Sequence, residues 1–238
     1  MHASQRRMSS FLKLTDQIFE CRRCDENWGF SSPSPEAGYF KFPPVIGKTE
    51  NAQLLFVGIN PRISDSNRWL HKHLMKNKAS FLGFSANRVH DKPYIASVGQ
   101  ESHYRLHVEF INKAFGRNCP FEQVAAVTEI FLCATSNSRN LPYPESPCAD
   151  LYFGEVIRLT KPRVIVAVGA RVVNYFKTRQ HGYWAGSQLF LKFIDRDVPV
   201  ATIPHPGDPN LSESQRIEQV LSVAAETRAL LQISSPRI

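Results

Sequence analysis

No stretch of this sequence approaches the roughly 18 apolar residues of a membrane-spanning helix, no segment repeats, and no low-complexity tract interrupts it. Met and Trp occur three times each, and five cysteines are scattered over 238 residues, too sparse for a disulfide scaffold. Acidic residues are in deficit as well: 21 Asp+Glu against 29 Lys+Arg leave a formal net charge of +8. These shortages exclude helical-membrane, collagenous, repeat and disulfide-stapled architectures. A chain of this length can bury about 70% of its unfolded surface without covalent staples. Met1 to Ser10 is basic and polar and lacks the apolar core of a secretory signal. The expectation is a frayed N-terminus over residues 1–10, one domain over 11–238, no membrane association and a cytoplasmic location. The positive excess points to a polyanionic partner, nucleic acid first, with a basic surface of no special role as the plain alternative.

Apolar spacing at Phe11, Leu12, Leu14, Ile18 and Phe19 predicts a helix running straight into Cys21-Arg22-Arg23-Cys24. Ser31 to Pro44 reads as a loop. Four apolar runs read as buried strands: Gln53 to Ile59, Val124 to Leu132, Val164 to Val168 and Val198 to Ile203. Helices are expected at Trp69 to Met75, His103 to Phe115, Ala149 to Leu159, Arg171 to Phe176 and Glu213 to Leu231, the last capped by Ser212. Ser80 to Gly99 reads as an irregular segment held by Phe81, Phe84 and Tyr94, and His103 and His107 read as helix surface. Strands alternating with helices predict an α/β fold with a parallel sheet covered on both faces. Ligands of such sheets bind beyond the carboxyl ends of the strands. That singles out Asn60, Arg62, Glu129 and His205.

Cys21 and Cys24 form a C-x2-C pair, and Cys133 and Cys148 form a second, looser pair. Two thiolates on one turn can reach a single metal or cluster, and a distant pair can complete four-coordinate ligation. Spacing does not choose between zinc and an iron–sulfur cluster, and Cys133 at a strand end reads equally as a small buried hydrophobe. Cys119 is left over.

Taken in order, Val45-Ile46-Gly47, the approach Ala52 to Gly58, Gly58-Ile59-Asn60-Pro61, Lys161 to Ala170, Thr202-Ile203-Pro204-His205-Pro206 and the four cysteines resemble the uracil-DNA glycosylase superfamily, closest to its iron–sulfur (family 4) branch, with a GxNP first motif. The blocks run from Phe19 to about Leu211. The resemblance implies a three-layer α/β/α sandwich with a short central parallel four-stranded sheet. It further implies a structural [4Fe-4S] cluster on Cys21, Cys24, Cys133 and Cys148, with zinc as the alternative. The implied activity is hydrolysis of the N-glycosidic bond of a damaged or deaminated base, uracil or related, in DNA, as a base excision repair enzyme acting as a monomer. A catalytically inactive nucleic-acid-binding relative and an unrelated zinc protein are the rival readings.

By the same resemblance the catalytic residues are Asn60 and His205. A neutral amide at Asn60 orients water rather than abstracting a proton; its plain reading is a strand terminator before Pro61. His205, between two prolines, matches the donor to the base oxygen on which negative charge gathers. The base pocket takes in Gly58, Ile59, Phe81 and Glu129. Phe81 is similar to a base-stacking ring, although its distance from Gly58 exceeds the family spacing and a core position suits it equally. Three departures stand out. Glu129 replaces the family's uracil-reading Asn, and an ionised carboxylate would repel uracil O4 unless burial keeps it protonated. Arg62 replaces a small residue, fit to grip a phosphate or fill the pocket mouth. Gly207-Asp208-Pro209-Asn210-Leu211 replaces the usual continuation after Pro206, with Leu211 placed either as a DNA wedge or as a staple for the last helix. With Pro206, Gly207 and Leu211, Arg62 makes up the expected DNA contact. Arg22, Arg23, Arg68, Lys72, Lys76 and Lys78 are the surrounding phosphate-binding candidates.

Overall fold

Short runs of valine, isoleucine and leucine, too brief for helices and apolar on both faces, build the centre of the molecule. The structure is a computed structural model that describes residues 2–21, 23, 39–59, 77–90, 104–116, 119–135, 147–180, 182–193 and 195–233. In chain order its elements are α1 (His2–Glu20), β1 (Tyr39–Lys41), β2 (Ile46–Gly47), β3 (Leu54–Gly58), α2 (Lys78–His90), α3 (Arg105–Phe115), α4 (Phe121–Val124), β4 (Ala125–Glu129), β5 (Cys133–Thr135), α5 (Pro147–Thr160), β6 (Val164–Val168), α6 (Ala170–Arg179), β7 (Gly182–Ala185), β8 (Gln188–Lys192), β9 (Asp197–Ile203) and α7 (Glu213–Ile233).

The four expected strands are β3, β4, β6 and β9, and they pair in parallel in the order β4-β3-β6-β9. The sheet is larger than the four parallel strands expected. It is a mixed sheet of seven, ordered β2-β4-β3-β6-β9-β8-β7, with antiparallel strands added at both edges. A separate two-stranded sheet pairs β1 with β5. Side chains alternate across the main sheet as the strand repeat of two requires. Leu55, Val57, Ile165 and Ala167 share one apolar cluster with α1, α5 and α6. Leu54, Phe56, Val164 and Val166 share the other with α3, α4 and α7. Helices therefore cover both faces of a mixed α/β fold.

Several local expectations change. Strand β4 stops at Glu129, after which the Ile130 and Phe131 amides donate to the carbonyls of Gly58 and Ile59 and steer the chain over the end of β3. The segment from Ser80, expected to be irregular, is helical as far as His90; Asn77 caps it, its Oδ1 accepting from the Ser80 amide at 2.8 Å. Helix α1 begins at His2 and so takes in the segment read as a frayed N-terminus. His107, expected on a helix surface, is 3% exposed and packs on Phe56 with ring centroids 4.6 Å apart. It lies one turn from Phe110 and Ile111 and beside Leu106, on the buried face of α3. Ser212 does cap α7: its Oγ accepts from the Gln215 amide at 3.3 Å while Gln215 Oε1 accepts from the Ser212 amide at 2.8 Å, a reciprocal capping box. The expected Trp69–Met75 helix lies outside the described residues. Among the described residues, no helix is long and apolar enough to cross a membrane.

Phe56 is the ring on which the second face closes, fully buried and touching Phe110 edge-on at 5.4 Å and Phe121 at 5.6 Å. Phe56→Ala is expected to cost about 3–5 kcal/mol, measured as a lowered midpoint in urea denaturation.

Candidate functional site

From β3 the chain crosses to β4 on one side and later to β6 on the other, so the strand order reverses between β3 and β6. In open α/β sheets the crevice at that reversal, outside the carboxyl ends, is where ligands bind. The residues delivered there are Gly58 at the end of β3 with Ile59 just after it, and Gly169 just after β6, flanked by Glu129 at the end of β4 and His205 just past β9.

Gly58 lies opposite Glu129 in the β3–β4 register, and both point to the same face of the sheet. A Cβ at residue 58 would sit 2.1 Å from Glu129 Oε2 and 2.7 Å from its Cδ, so the carboxyl group occupies the space a side chain at 58 would take and would have to swing aside for one. Glu129 is 5% exposed, and its Oε2 has no hydrogen-bond partner among the described residues. A buried carboxylate without a partner is costly and takes up a proton instead. Burial accordingly raises its pKa from 4.5 to about 8. At neutral pH Glu129 is a carboxylic acid with one donor and one acceptor face. Ile59 is buried in the core on the opposite face.

His205 follows β9 in a turn closed by the Asp208 amide donating to the His205 carbonyl at 3.0 Å. The Gly207 amide donates to His205 Nδ1 at 3.0 Å, which leaves the proton of the neutral ring on Nε2. Burial lowers the His205 pKa; Asp208 acts against this, while Arg171 and Arg216 add to it, so the ring is a neutral Nε2–H donor at neutral pH. Gly169 has φ +89, and a Cβ there would meet His205 Cβ at 3.1 Å; the glycine lets the ring pack against the start of α6. Arg216 of α7 fastens the loop, its Nη1 donating to the carbonyls of Asp208 at 2.9 Å and Leu211 at 2.6 Å. Asp208 Oδ1 accepts from the Asn210 amide at 2.9 Å and rigidifies the same turn. Pro206 is half-buried and Gly207 exposed. Leu211 lines a cleft of about 350 Å³ with Ala170, Pro204, Gln219 and Val223. The residue four positions into α7 is Arg216, whose guanidinium holds the Leu211 carbonyl in place of an apolar staple.

Other candidates fall elsewhere or outside the described residues. Phe81 is fully buried in α2, its ring 5.4 Å from Phe19 of α1, which is a core position. Lys78 makes ion pairs with Asp16 and, at 3.2 Å, Glu20, tying α2 to α1 rather than standing free for phosphate. Arg23 is exposed. Asn60, Arg62, Arg22, Arg68, Lys72, Lys76 and Cys24 lie outside the described residues. No motif marked Arg171 or Arg216; Gly169 fell within the block Lys161 to Ala170, and the expected Ser212 cap alone hinted that the loop before α7 was fixed.

The cysteine-bearing segments approach one another. Lys13 of α1 acts electrostatically on Glu155 of α5, and Tyr152 donates to the Gln17 carbonyl at 3.5 Å. Moving up α1 thus matches moving down α5, and the next turn carries Cys21 and Cys148 to the same end of the antiparallel pair. Lys41 of β1 lies opposite Cys133 in the β1–β5 register, and its ammonium donates to the Phe19 and Cys21 carbonyls. Cys148 is buried in the first turn of α5, within the apolar cluster of the first face. Among the described residues no three His, Cys, Asp or Glu side chains converge as a metal site; Cys24 and the Cys133 side chain are not among those described. Four thiolates are a donor set suited to zinc or an iron–sulfur cluster. The arrangement of the three described segments is compatible with one such centre. Cys119 is half-buried in another part of the chain, its thiol pKa raised by burial.

No family model matches the chain, and no curated protein matches it.

The state of Glu129 has a measurable sign. Between about pH 4.5 and 8 the folded chain holds a proton that the unfolded chain has lost. Stability therefore falls as pH rises through that window and is greatest below it. Urea denaturation of Glu129→Gln beside the native chain is expected to remove this slope; an unchanged slope would show that Glu129 is ionised in the fold.

Proposed function

We propose that this chain is a DNA glycosylase resembling the iron–sulfur branch of the uracil-DNA glycosylase superfamily, a three-layer α/β/α domain that acts as a monomer in the cytoplasm. The observation that carries this reading is the pairing, along one carboxyl edge, of a buried neutral Glu129 over Gly58 with a tautomer-locked His205. Such an edge suits a base that must be held on its hydrogen-bonding side and relieved of negative charge as it leaves.

In glycosidic hydrolysis the bond from C1′ to the base nitrogen breaks, the sugar becomes oxocarbenium-like and the base departs as an anion. His205 Nε2–H donates to the carbonyl oxygen on which that charge gathers. Because the ring is neutral and its Nδ1 is held by the Gly207 amide, the donor is aligned before the charge appears. Arg171 and Arg216 add positive potential there and disfavour a second ring proton. Asn60, the residue after Ile59, orients the attacking water through its amide carbonyl. Glu129, as a carboxylic acid, gives a hydrogen bond from its O–H and accepts one at its carbonyl, the same pair an amide offers. The replacement of the family's Asn is therefore chemically smaller than the change of residue suggests. A ring N–H beside a carbonyl, as in uracil or hypoxanthine, matches that pair. A [4Fe-4S] cluster on Cys21, Cys24, Cys133 and Cys148 would cross-link loops near the DNA and take no part in bond cleavage. Arg62, Pro206, Gly207 and Leu211 are the proposed DNA contacts.

The test is incubation with oligonucleotides carrying uracil, hypoxanthine, xanthine or mismatched thymine, scored by alkali-labile strand breaks. Cleavage of at least one is expected, and cleavage of none overturns the enzyme reading in favour of a binding relative. His205→Ala is expected to lower turnover by roughly 10²–10³-fold with DNA binding retained. Native activity is expected to decline as pH rises through about 8 and Glu129 ionises, whereas Glu129→Gln removes that decline; a Gln variant with the native pH profile would take Glu129 out of the base pocket.

A further inference from the structure

Among the described residues three large hydrophobic side chains are exposed, Leu151, Tyr183 and Trp184, and two of them are neighbours on β7, the edge strand of the seven-stranded sheet. Single exposed apolar side chains are ordinary, but these two rings are held in fixed poses. Trp184 is 51% exposed, and the ammonium of Lys177 in α6 lies 4.9 Å from its ring centroid, a cation–π contact that orients the indole. Helix and strand meet so closely that a Cβ at Gly182 would lie 2.9 Å from the Phe176 carbonyl oxygen, which fixes α6 against β7. On the other face of the hairpin Tyr183 stacks on Phe190 at 5.7 Å, and its hydroxyl donates to Asp197 Oδ2 at 2.7 Å. Leu189 pairs with both Trp184 and Val200, so the Gly186-Ser187 turn points to the carboxyl edge that carries His205. From β9 to β7 is two strand spacings, and from Val200 to His205 is five residues of extended rise, which puts Trp184 on the order of 20 Å from His205. Between Ala170 and Asp197 the chain carries Arg171, Lys177, Arg179, Lys192 and Arg196 against Asp195 and Asp197, a positive balance. Lys177 and Arg179 are exposed at the end of α6 that leads into β7.

We infer that the outer edge of β7 is a binding surface for single-stranded DNA, with one base stacked on the Trp184 indole and the adjoining phosphates held by Lys177 and Arg179. An aromatic plane presents a face on which any base can stack, and cations beside it take the backbone. A base has to leave its neighbours to stack on a side chain, so the partner is a single strand and not a duplex. Charge selects it over a second copy of the chain: pairing two β7 edges would set one cationic rim against another, whereas a polyanion is drawn to that rim. The inference rests on the DNA reading of the proposed function for its placement of the target base, which sits in the crevice a few nucleotides along the same strand.

The test uses the full-length chain and a fluorescently labelled single-stranded oligothymidylate, which holds no deaminated base, and reads affinity by anisotropy over a range of salt concentrations. Trp184→Ala is expected to weaken binding roughly 5–150-fold, the loss of one stacked base, with the salt dependence unchanged, and Trp184→Phe to restore most of the affinity. Lys177→Gln is expected to reduce the slope of log K against log salt by about 0.7, one phosphate contact on a single strand. A duplex of the same length is expected to compete poorly. Short-wave ultraviolet crosslinking of the native complex is expected to label the tryptic peptide 180–192, a result that does not depend on any variant folding. Equal binding by a folded Trp184→Ala chain, or crosslinks confined to other peptides, overturns the hairpin site and leaves base excision by the native chain to stand. Tighter binding of the duplex also overturns it, as does a native dimer that Trp184→Ala dissociates, which assigns the edge to a second copy. Excision of none of the test bases, with Trp184-dependent binding intact, removes the enzyme reading and supports the site. A native chain that binds no DNA overturns the site together with the DNA contacts of the proposed function.

Discussion

The carboxyl group of Glu129 can lie across the end of β3 because residue 58 carries no side chain, and a single Cβ there would overlap all three carboxyl atoms. Much of the crevice follows from that constraint. The carboxyl enters a space closed by the sheet, finds no partner for Oε2 among the described residues, and keeps its proton. A short backbone step, the Ile130 amide onto the Gly58 carbonyl at 2.9 Å, holds β4 at the level where this happens. Burial therefore changes the chemical identity of the side chain. By formal charge Glu129 is an anion, and by its surroundings it is a neutral donor and acceptor.

The parallel centre of the fold was readable from the chain because strands buried on both faces are continuous apolar runs, and all four runs correspond to strands. The edges were not. The β7–β8 hairpin turns through Gly186-Ser187 with Gly186 at φ +61, a recognisable two-residue loop, but β7 is largely exposed at Tyr183 and Trp184 and shows no apolar alternation. Strand β2, two residues long, is below any periodic signal. For the site, sequence order placed Glu129 and His205 beyond strand ends; the structure has Glu129 as the last residue of β4 and His205 two residues past β9. What could not be read was the electrostatic state of either group. That state depends on Gly58, Gly207 and Arg216, which come from separate parts of the chain and meet only on folding.

Among the described residues, part of the basic excess behind the net charge of +8 is held in ion pairs. Lys78 is engaged by Asp16 and Glu20, Arg105 by Glu213, and Arg158 by Glu155, so part of the excess joins helices to one another or braces a single helix. Exposed pairs of this kind contribute little stability each. They link α2 to α1 and α3 to α7 at the surface. The Arg171 and Arg216 charges differ in kind, because they act on the ring of His205.

Arg216 belongs to α7, yet its guanidinium holds the carbonyls of the loop that carries His205. The same helix buries Val220, Ala224 and Leu231 against the second face of the sheet. Loop and helix are thus one mechanical part: a displacement of the last helix carries the imidazole with it, and a rigid last helix keeps it still. The final twenty or so residues of the described chain are then as much a component of the crevice edge as the loop that precedes them. An exchange of that helix for an unrelated one of equal length and hydrophobicity would preserve the core and leave the histidine unmoored.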